Sequence, residues 1–110
     1  MANHEFGIMS VAPQHGERFD SYAPWNYDDV ISVDDDDIEP VLDELSKVKM
    51  YAHTIDVPCS GLAYCGITLI PPSEMEAFIE IAASSEALAP LKGLLIKAKE
   101  QRKYIIHFGL

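Results

Sequence analysis

Short apolar runs along the chain predict five β-strands. Residues 6–11, 30–33 and 51–57 combine β-branched or aromatic residues with polar ones, which is typical of strands that bury one face. Residues 62–70 are almost entirely apolar or small, so we expect a central strand that is buried on both faces. The C-terminal run 104–110 is the fifth predicted strand, and we expect it to insert beside an earlier one.

The third of these predicted strands is expected to form a hairpin with the fourth. Its side chains alternate, which places His53 on the same face as Tyr51 and Ile55. The segment that follows, Pro-Cys-Ser-Gly at 58–61, has the composition of a turn. We therefore expect the two strands to pair in antiparallel fashion around this turn.

Apolar residues at helical spacing predict three helices. The first covers 37–49, with Asp36 as its predicted N-cap and Glu39 completing a capping box. The second runs over about 73–83, and the third ends near Arg102.

The predicted order of elements, β-β-α-β-β-α-α-β, lacks the regular βαβ units of a parallel sheet. It predicts a single α+β domain over residues 1–110. We expect one layer of about five mixed or mostly antiparallel strands, with about three helices packed mainly on one face.

An irregular segment, residues 12–28, separates the first two predicted strands. A loop of this length in a compact domain is often functional. One interpretation is a binding surface, since tyrosine and tryptophan are enriched at interfaces. The alternative is that its aromatic residues simply close over the core. These aromatic residues are Phe19, Tyr22, Trp25 and Tyr27.

The composition is that of a globular domain, since 48% of the 110 residues are hydrophobic and 24% are charged. No apolar run approaches the roughly 18 residues that a membrane span requires. The first residues lack the basic and then apolar pattern of a secretory signal. We therefore expect a cytoplasmic protein in which Cys59 and Cys65 are reduced.

The net charge of −10 is concentrated in the first half of the chain. Residues 1–46 contain 12 acids and one arginine, a net of −11, whereas residues 47–110 contain 6 acids and 7 bases, a net of +1. Nucleic acid and anionic membranes are therefore not expected as partners, because both require a cationic surface. A basic partner protein is electrostatically favoured.

The last predicted helix carries a cluster of basic residues. The simplest interpretation is a solvated helix face whose charge suits the helix dipole. The alternatives are an anion-binding patch and contact with the acidic half of a second copy, which would give a homodimer. The cluster consists of Lys92, Lys97, Lys99, Arg102 and Lys103.

The acidic run Asp34–Asp37, followed by Glu39, permits two interpretations. A Ca²⁺ or Mg²⁺ site would use several carboxylates, but the run lacks the glycine and the final glutamate of an EF-hand loop. Carboxylates at a helix N-terminus are favoured by the helix dipole, and we prefer this interpretation. The spacing of His53, Cys59 and Cys65 matches no zinc signature, so neither a metal nor a cofactor is predicted.

Two histidines, His53 and His107, lie in predicted strands. If those strands are neighbours, the imidazoles converge with Asp56 or Tyr64 on a small polar site suited to acid–base chemistry. Cys65 lies beside Tyr64 in the predicted central strand. The alternative is two half-buried histidines that are satisfied by backbone or carboxylate partners. The remaining histidines, expected in exposed segments, are His4 and His15.

The sequence favours a non-catalytic protein-binding module. It would combine the acidic segment 28–39 with the aromatic loop 19–27 into one surface for a basic partner. The residues predicted to contact that partner are Trp25, Tyr22, Tyr27, Asp34, Asp35 and Asp37. The alternative is a small enzyme or ligand-binding domain with a site around His53, His107, Tyr64 and Cys65.

Overall fold

The computed structural model describes residues 3–62 and 66–109. Within them, six strands form one antiparallel sheet with the order β2-β1-β6-β5-β3-β4. The α+β prediction is confirmed, and of the two sheet types it allowed, the antiparallel one is present. The strands are β1 (Asn3–Ile8), β2 (Asp28–Asp34), β3 (Lys49–Ala52), β4 (Pro58–Ser60), β5 (Ile67–Ile70) and β6 (Ile105–Phe108).

The helices of the described residues are α1 (Asp35–Ile38), α2 (Leu42–Leu45), α3 (Met75–Ala82) and α4 (Ala89–Gln101). A 3-10 turn, Glu39–Val41, links α1 to α2, so the predicted helix 37–49 is interrupted. Pro40 explains the interruption, because it has no N–H with which to continue the α-helical hydrogen bonds. The N-cap is Asp34 rather than Asp36, since the Asp34 side chain accepts the Asp36 N–H at 2.9 Å. None of these helices has both the length and the apolar character needed to cross a bilayer.

The helices pack on one face of the sheet, as the sequence predicts. Ile105 of β6 belongs to the apolar core on this helix-covered face. His107, two residues further along β6, shares that face and contacts the ring of Phe6. The larger side chains of this core include Phe6, Ile8, Ile70, Phe78, Leu91, Leu95 and Ile105.

The segment between β1 and β2 crosses the opposite, loop-covered face. There Phe19 and Tyr27 pack on a second, smaller apolar cluster that includes Phe108. The Phe19 N–H also donates to the His53 carbonyl at 2.8 Å. In this fully described segment the one regular piece is the 3-10 turn Pro24–Asn26, so aromatic contacts and individual hydrogen bonds hold the segment in place.

The predicted third strand and the turn after it are wrong in their placement. β3 ends at Ala52, and His53 takes a left-handed φ of +61°. The turn runs from His53 to Val57 and is closed by a hydrogen bond from the Ala52 N–H to the Val57 carbonyl at 2.9 Å. The predicted turn is instead strand β4, which lies at the edge of the sheet, where the missing N–H of Pro58 is tolerated.

Two other strands are shorter or shifted relative to the prediction. The strand expected over 62–70 is β5 alone within the described residues, and 63–65 lie outside them. All four positions of β5 are buried, as expected for a central strand. The first strand lies further toward the N-terminus than expected, so it includes His4 and ends before Val11.

Candidate functional site

Trp25 and Tyr22 are the aromatic side chains that the described structure leaves most open to solvent, at 74% and 57% exposure. Their rings meet edge to face with centroids 6.0 Å apart. Tyr22 also contacts Phe108 of β6 at 5.5 Å, which anchors one edge of its ring on the sheet. Tyr27, the third predicted contact residue, is half-buried against Phe108. Phe19 and Tyr27 therefore close over the core, whereas Tyr22 and Trp25 do not.

A 3-10 turn fixes the position of Trp25. Pro24 begins the turn, is buried, and supplies the required φ by its ring geometry. The N–H groups of Asn26 and Tyr27 donate to the carbonyls of Ala23 and Pro24, both at 3.1 Å. The turn contacts β1 and β2. Trp25 therefore projects from a backbone that is braced against the sheet.

One carboxylate contacts the exposed aromatic pair directly, and further acidic residues lie on β2. The Tyr22 hydroxyl donates to the Glu5 carboxylate, and this hydrogen bond raises the pKa of Tyr22. Glu5 faces Ser32 across β1 and β2, and Asp34 lies diagonally beyond it on the same face. Asp28 is exposed at the start of β2. We name this group the acidic–aromatic surface: Glu5, Tyr22, Trp25, Asp28 and Asp34.

The acidic run after β2 has structural contacts of its own. Asp34 caps α1, and the Asp35 carboxylate accepts a hydrogen bond from His4 Nε2 at 2.9 Å. Asp36 is exposed, and Asp37 is half-buried. Asp34 and Asp35, both predicted partner contacts, therefore also hold the start of α1 in place.

One set of metal-ligating groups converges within the described residues. The oxygens that lie within 4.8 Å of one another belong to Asp35, Asp36 and Glu39. His4 already bonds to Asp35, and carboxylates at a helix start are favoured by the dipole. The cluster therefore gives no independent reason to assign an ion. Of the two cysteines, Cys59 is half-buried and burial raises its thiol pKa, whereas Cys65 lies outside the described residues.

Two histidines on the helix-covered face are buried and bonded to each other. His4 Nδ1 lies 2.8 Å from His107 Nε2, and the rings stack with centroids 5.0 Å apart. At one end of the pair, His107 Nδ1 lies 3.3 Å from the Thr68 hydroxyl oxygen. At the other end, His4 Nε2 bonds to Asp35. We name these four residues the buried histidine chain.

The hydrogen-bond directions along this chain follow from its carboxylate end. The Asp35 carboxylate only accepts, so His4 Nε2 carries a proton and, in a neutral ring, His4 Nδ1 accepts from His107 Nε2. His107 Nδ1 then accepts from the Thr68 hydroxyl. Burial, and to a lesser extent the neighbouring His4, lowers the pKa of His107 to about 3, so this ring is neutral at ordinary pH.

The prediction that His4 lies in an exposed segment is wrong. His4, Phe6 and Ile8 occupy alternate positions of β1 and share its buried face. This period of two is visible in the sequence once the strand is begun at residue 3 instead of residue 6. His4 is thus the polar member of an apolar stripe, and its partner lies 103 residues away in the sequence.

The structure separates the residues of the predicted histidine site. His107 belongs to the helix-covered face, whereas His53 lines a cleft on the loop-covered face together with Phe108. The sheet lies between the two imidazoles, so they do not converge. The other two predicted members, Tyr64 and Cys65, lie outside the described residues.

The basic residues of α4 are partly paired within the chain. Lys97 Nζ lies 2.5 Å from the Asp29 carboxylate, and Lys99 Nζ lies 3.9 Å from the Glu76 carboxylate. Both pairs are exposed, and such pairs contribute little to stability. This face of α4 is largely a solvated helix face in the single chain, and a homodimer through it stays a prediction.

Comparison with protein-family models, curated proteins and solved structures finds no match to this chain. Its function is therefore inferred from its own surfaces and sites.

Proposed function

We propose that this chain is a non-catalytic protein-binding module whose acidic–aromatic surface docks on a basic partner protein. The observation that carries the proposal is the exposed pair Tyr22 and Trp25, which sits on a braced segment and is hydrogen-bonded through Tyr22 to the carboxylate of Glu5. Isolated exposed apolar residues are ordinary on soluble domains, whereas adjoining ones with a polar rim are typical of interaction sites.

Tyr22 and Trp25 have the properties of binding hot spots. Each offers a large amphipathic contact area with only two side-chain torsions, so little conformational entropy is lost on docking. A few such aromatic anchors usually supply most of the affinity of an interface. We therefore assign most of the binding free energy to these two rings.

The acidic residues of this surface favour a cationic partner. Residues 1–46, which supply the whole surface, have a net charge of −11. Exposed charges at the rim of an interface act mainly on the association rate and on the choice of partner. Asp28, Asp34 and the exposed Asp36 would thus steer a basic protein toward the aromatic pair.

The aromatic part of the proposal is tested by capturing partners from a lysate of the source cells at low and at high salt. A basic protein retained at low salt and depleted at high salt is expected, because salt screens exposed carboxylates. The Trp25→Ala variant should lose that protein at both salts. The matched variant Ile96→Ala, which truncates an exposed apolar residue on α4, should keep it. Equal retention by the two variants would contradict the assignment.

The electrostatic part is tested on the association rate with the captured protein. Replacing Asp28, Asp36 and Asp37 by Asn removes three charges and spares the structural contacts of Asp34 and Asp35. Association at low salt should slow by about tenfold or more and become less salt-dependent. The control variant loses the same charge from exposed positions on α3, α4 and the turn between them: Glu80→Gln, Glu86→Gln and Glu100→Gln. Equal slowing of both variants would assign the effect to net charge alone.

A second copy of the chain is the competing partner for the acidic–aromatic surface. Sedimentation of the purified protein at low and at high salt separates the two cases. One outcome is a dimer that dissociates in high salt and does not form in the variant with Asp28, Asp36 and Asp37 replaced. This outcome would mean that the acidic–aromatic surface binds the basic face of α4 of a second copy, and not a different protein. A monomer at both salts rules out that arrangement.

A further inference from the structure

A cleft with a volume of about 280 Å³ opens on the loop-covered face, beside the ends of β5 and β6. Ile67 and Phe108 form its apolar wall, and the loop contributes the side chains of Tyr22 and Asp20. His53 completes the lining together with the backbone of Gly66 and Gly109. The cleft adjoins the acidic–aromatic surface through Tyr22, but neither Trp25 nor the carboxylates of that surface line it.

The backbone of His53 is held in an uncommon conformation by hydrogen bonds to two other segments of the chain. Its φ of +61° is left-handed, a region that a non-glycine residue keeps only where its surroundings enforce it. Its N–H donates to the Ile67 carbonyl at 3.0 Å, and its carbonyl accepts the Phe19 N–H at 2.8 Å. This backbone conformation places the imidazole of His53 in the wall of the cleft.

The ring of His53 is also oriented, and this orientation assigns its proton. Nδ1 lies 3.0 Å from the Phe19 carbonyl oxygen and 3.1 Å from Asp20 Oδ1, and both of these atoms are acceptors. Nδ1 therefore carries the proton, which leaves Nε2 of the neutral ring as an acceptor. The hydrogen bond from Arg18 lowers the pKa of Asp20, so this carboxylate stays charged and keeps the ring in that tautomer.

Gly66 makes room for Nε2. A Cβ at this position would lie 2.9 Å from Nε2, and the φ of +111° disfavours any residue with a side chain. No polar atom of the described residues forms a hydrogen bond with Nε2, and the His53 side chain is 31% exposed. The Nε2 acceptor of His53 therefore faces the cleft and forms no hydrogen bond within the described part of the chain.

We infer that this cleft binds a small aromatic molecule that donates a hydrogen bond to His53 Nε2 and rests its ring against Phe108 and Tyr22. The volume suits a ligand of one ring, since sites for drug-sized ligands begin at about 300 Å³. The charged Asp20 disfavours an anionic ligand, because the two negative charges would repel each other. A neutral hydroxyl or amine attached to the ring supplies the required donor. This site is separate in chemistry from the protein-binding proposal and does not depend on it.

The test compares two isomers, p-cresol and anisole, of which only the first has a hydrogen-bond donor. In amide-resolved NMR titrations of the full chain, p-cresol should shift the Gly66 and Gly109 amides in a saturable way. Anisole should bind about tenfold more weakly, the factor expected for one hydrogen bond. In the unmodified protein, the Nε2 resonance of His53 should move with p-cresol and not with anisole. Equal binding of the isomers, or binding of neither, overturns the inference.

Variants separate this site from the protein-binding surface. Asparagine tolerates a left-handed φ, so His53→Asn should fold, should bind p-cresol no better than anisole, and should still capture the partner protein. The matched control is His15→Asn, since His15 is an exposed histidine that likewise bonds to a carboxylate, that of Asp56. This control should bind p-cresol normally. Trp25→Ala should keep p-cresol binding while losing the partner. Undiminished p-cresol binding by His53→Asn overturns the inference and leaves the protein-binding proposal untouched.

Discussion

Helices cover one face of the sheet and the irregular segment between β1 and β2 crosses the other, and polar groups on the two faces differ in their hydrogen bonding. On the helix-covered face, His4, Thr68 and His107 are fully buried, and their ring nitrogens and hydroxyl bond to one another and to Asp35. On the loop-covered face, His53 keeps one ring nitrogen without a described polar partner. Trp25 and Tyr22 stay largely in solvent on that face.

We propose that this difference separates stabilisation from recognition. A buried polar group that lacks a partner costs free energy, so the helix-covered face can hold histidines only where their bonds are complete. Groups left open on a braced surface cost the fold little and remain available to ligands. We therefore expect substitutions on the helix-covered face to act on stability and those on the loop-covered face to act on binding.

The largest expected contrast compares two aromatic truncations. Phe78 of α3 is fully buried and meets the Phe6 ring edge to face at 6.2 Å, so Phe78→Ala should lower the free energy of unfolding by about 3–5 kcal/mol. Trp25→Ala removes a larger ring and should change it by less than about 0.5 kcal/mol. Urea denaturation of both variants measures the contrast. Similar losses in the two would mean that Trp25 belongs to the core.

A smaller effect is expected when the buried histidine chain is broken at its centre. His107→Phe keeps a ring of similar shape but removes both the donor to His4 Nδ1 and the acceptor of the Thr68 hydroxyl. The free energy of unfolding should fall by about 1–3 kcal/mol. The control is His15→Asn at an exposed position, which should stay within about 0.5 kcal/mol of the wild type. A neutral or stabilising His107→Phe would show that the chain is dispensable.

The pH dependence of stability gives a third contrast. The pKa of His107 is about 3 in the folded chain and near its ordinary value of 6.5 when unfolded, so over this range the unfolded state binds a proton that the native state does not. The stability that comes from keeping His107 neutral is fully present above about pH 6.5. It is lost as the pH falls toward 3, with the free energy of unfolding decreasing by no more than about 1.4 kcal/mol per pH unit. Urea unfolding of His107→Phe from about pH 7 to about pH 5 should show a shallower loss than the wild type. Parallel curves would contradict this assignment.

The smallest expected effect distinguishes the cap from the charge at Asp34. Asp34→Ala removes the acceptor of the Asp36 N–H and should cost about 1 kcal/mol. Asp34→Asn keeps a capping oxygen, loses the charge, and should cost no more than a few tenths of a kcal/mol. Thermal or urea unfolding of the two variants compares their losses of stability. Equal losses would mean that the carboxylate charge, and not the cap, holds α1.

Much of the fold follows from local pattern. The β-branched run 30–33 predicts the core of β2, and the apolar run at the C-terminus predicts β6. The helical spacing around Phe78 predicts α3, which buries that ring. The helix α3 was predictable because its buried residues recur with the helical period, whereas β2 and β6 were predictable because β-branched or other apolar residues run together in them. The antiparallel order of the strands was only partly predictable, because pairing depends on contacts distant in the sequence.

The sites were less predictable than the fold. The segment 53–57 alternates like a strand, but its first residue, His53, is turned into a left-handed conformation by bonds to Phe19 and Ile67 that no local pattern encodes. His4 was misplaced because the strand was begun too late. The acidic run predicted a helix start two residues too late, and it did not predict that Asp35 would bond to a buried histidine.

The central claim is that the loop-covered face binds and the helix-covered face stabilises. Amide hydrogen exchange of the chain, with and without the partner protein captured at low salt, tests it most directly. We predict that added protection falls on residues 19–27 and on β1 and β2, with α3 and α4 unchanged. Protection concentrated in α3 and α4, with residues 19–27 exchanging as in the free chain, would contradict the account.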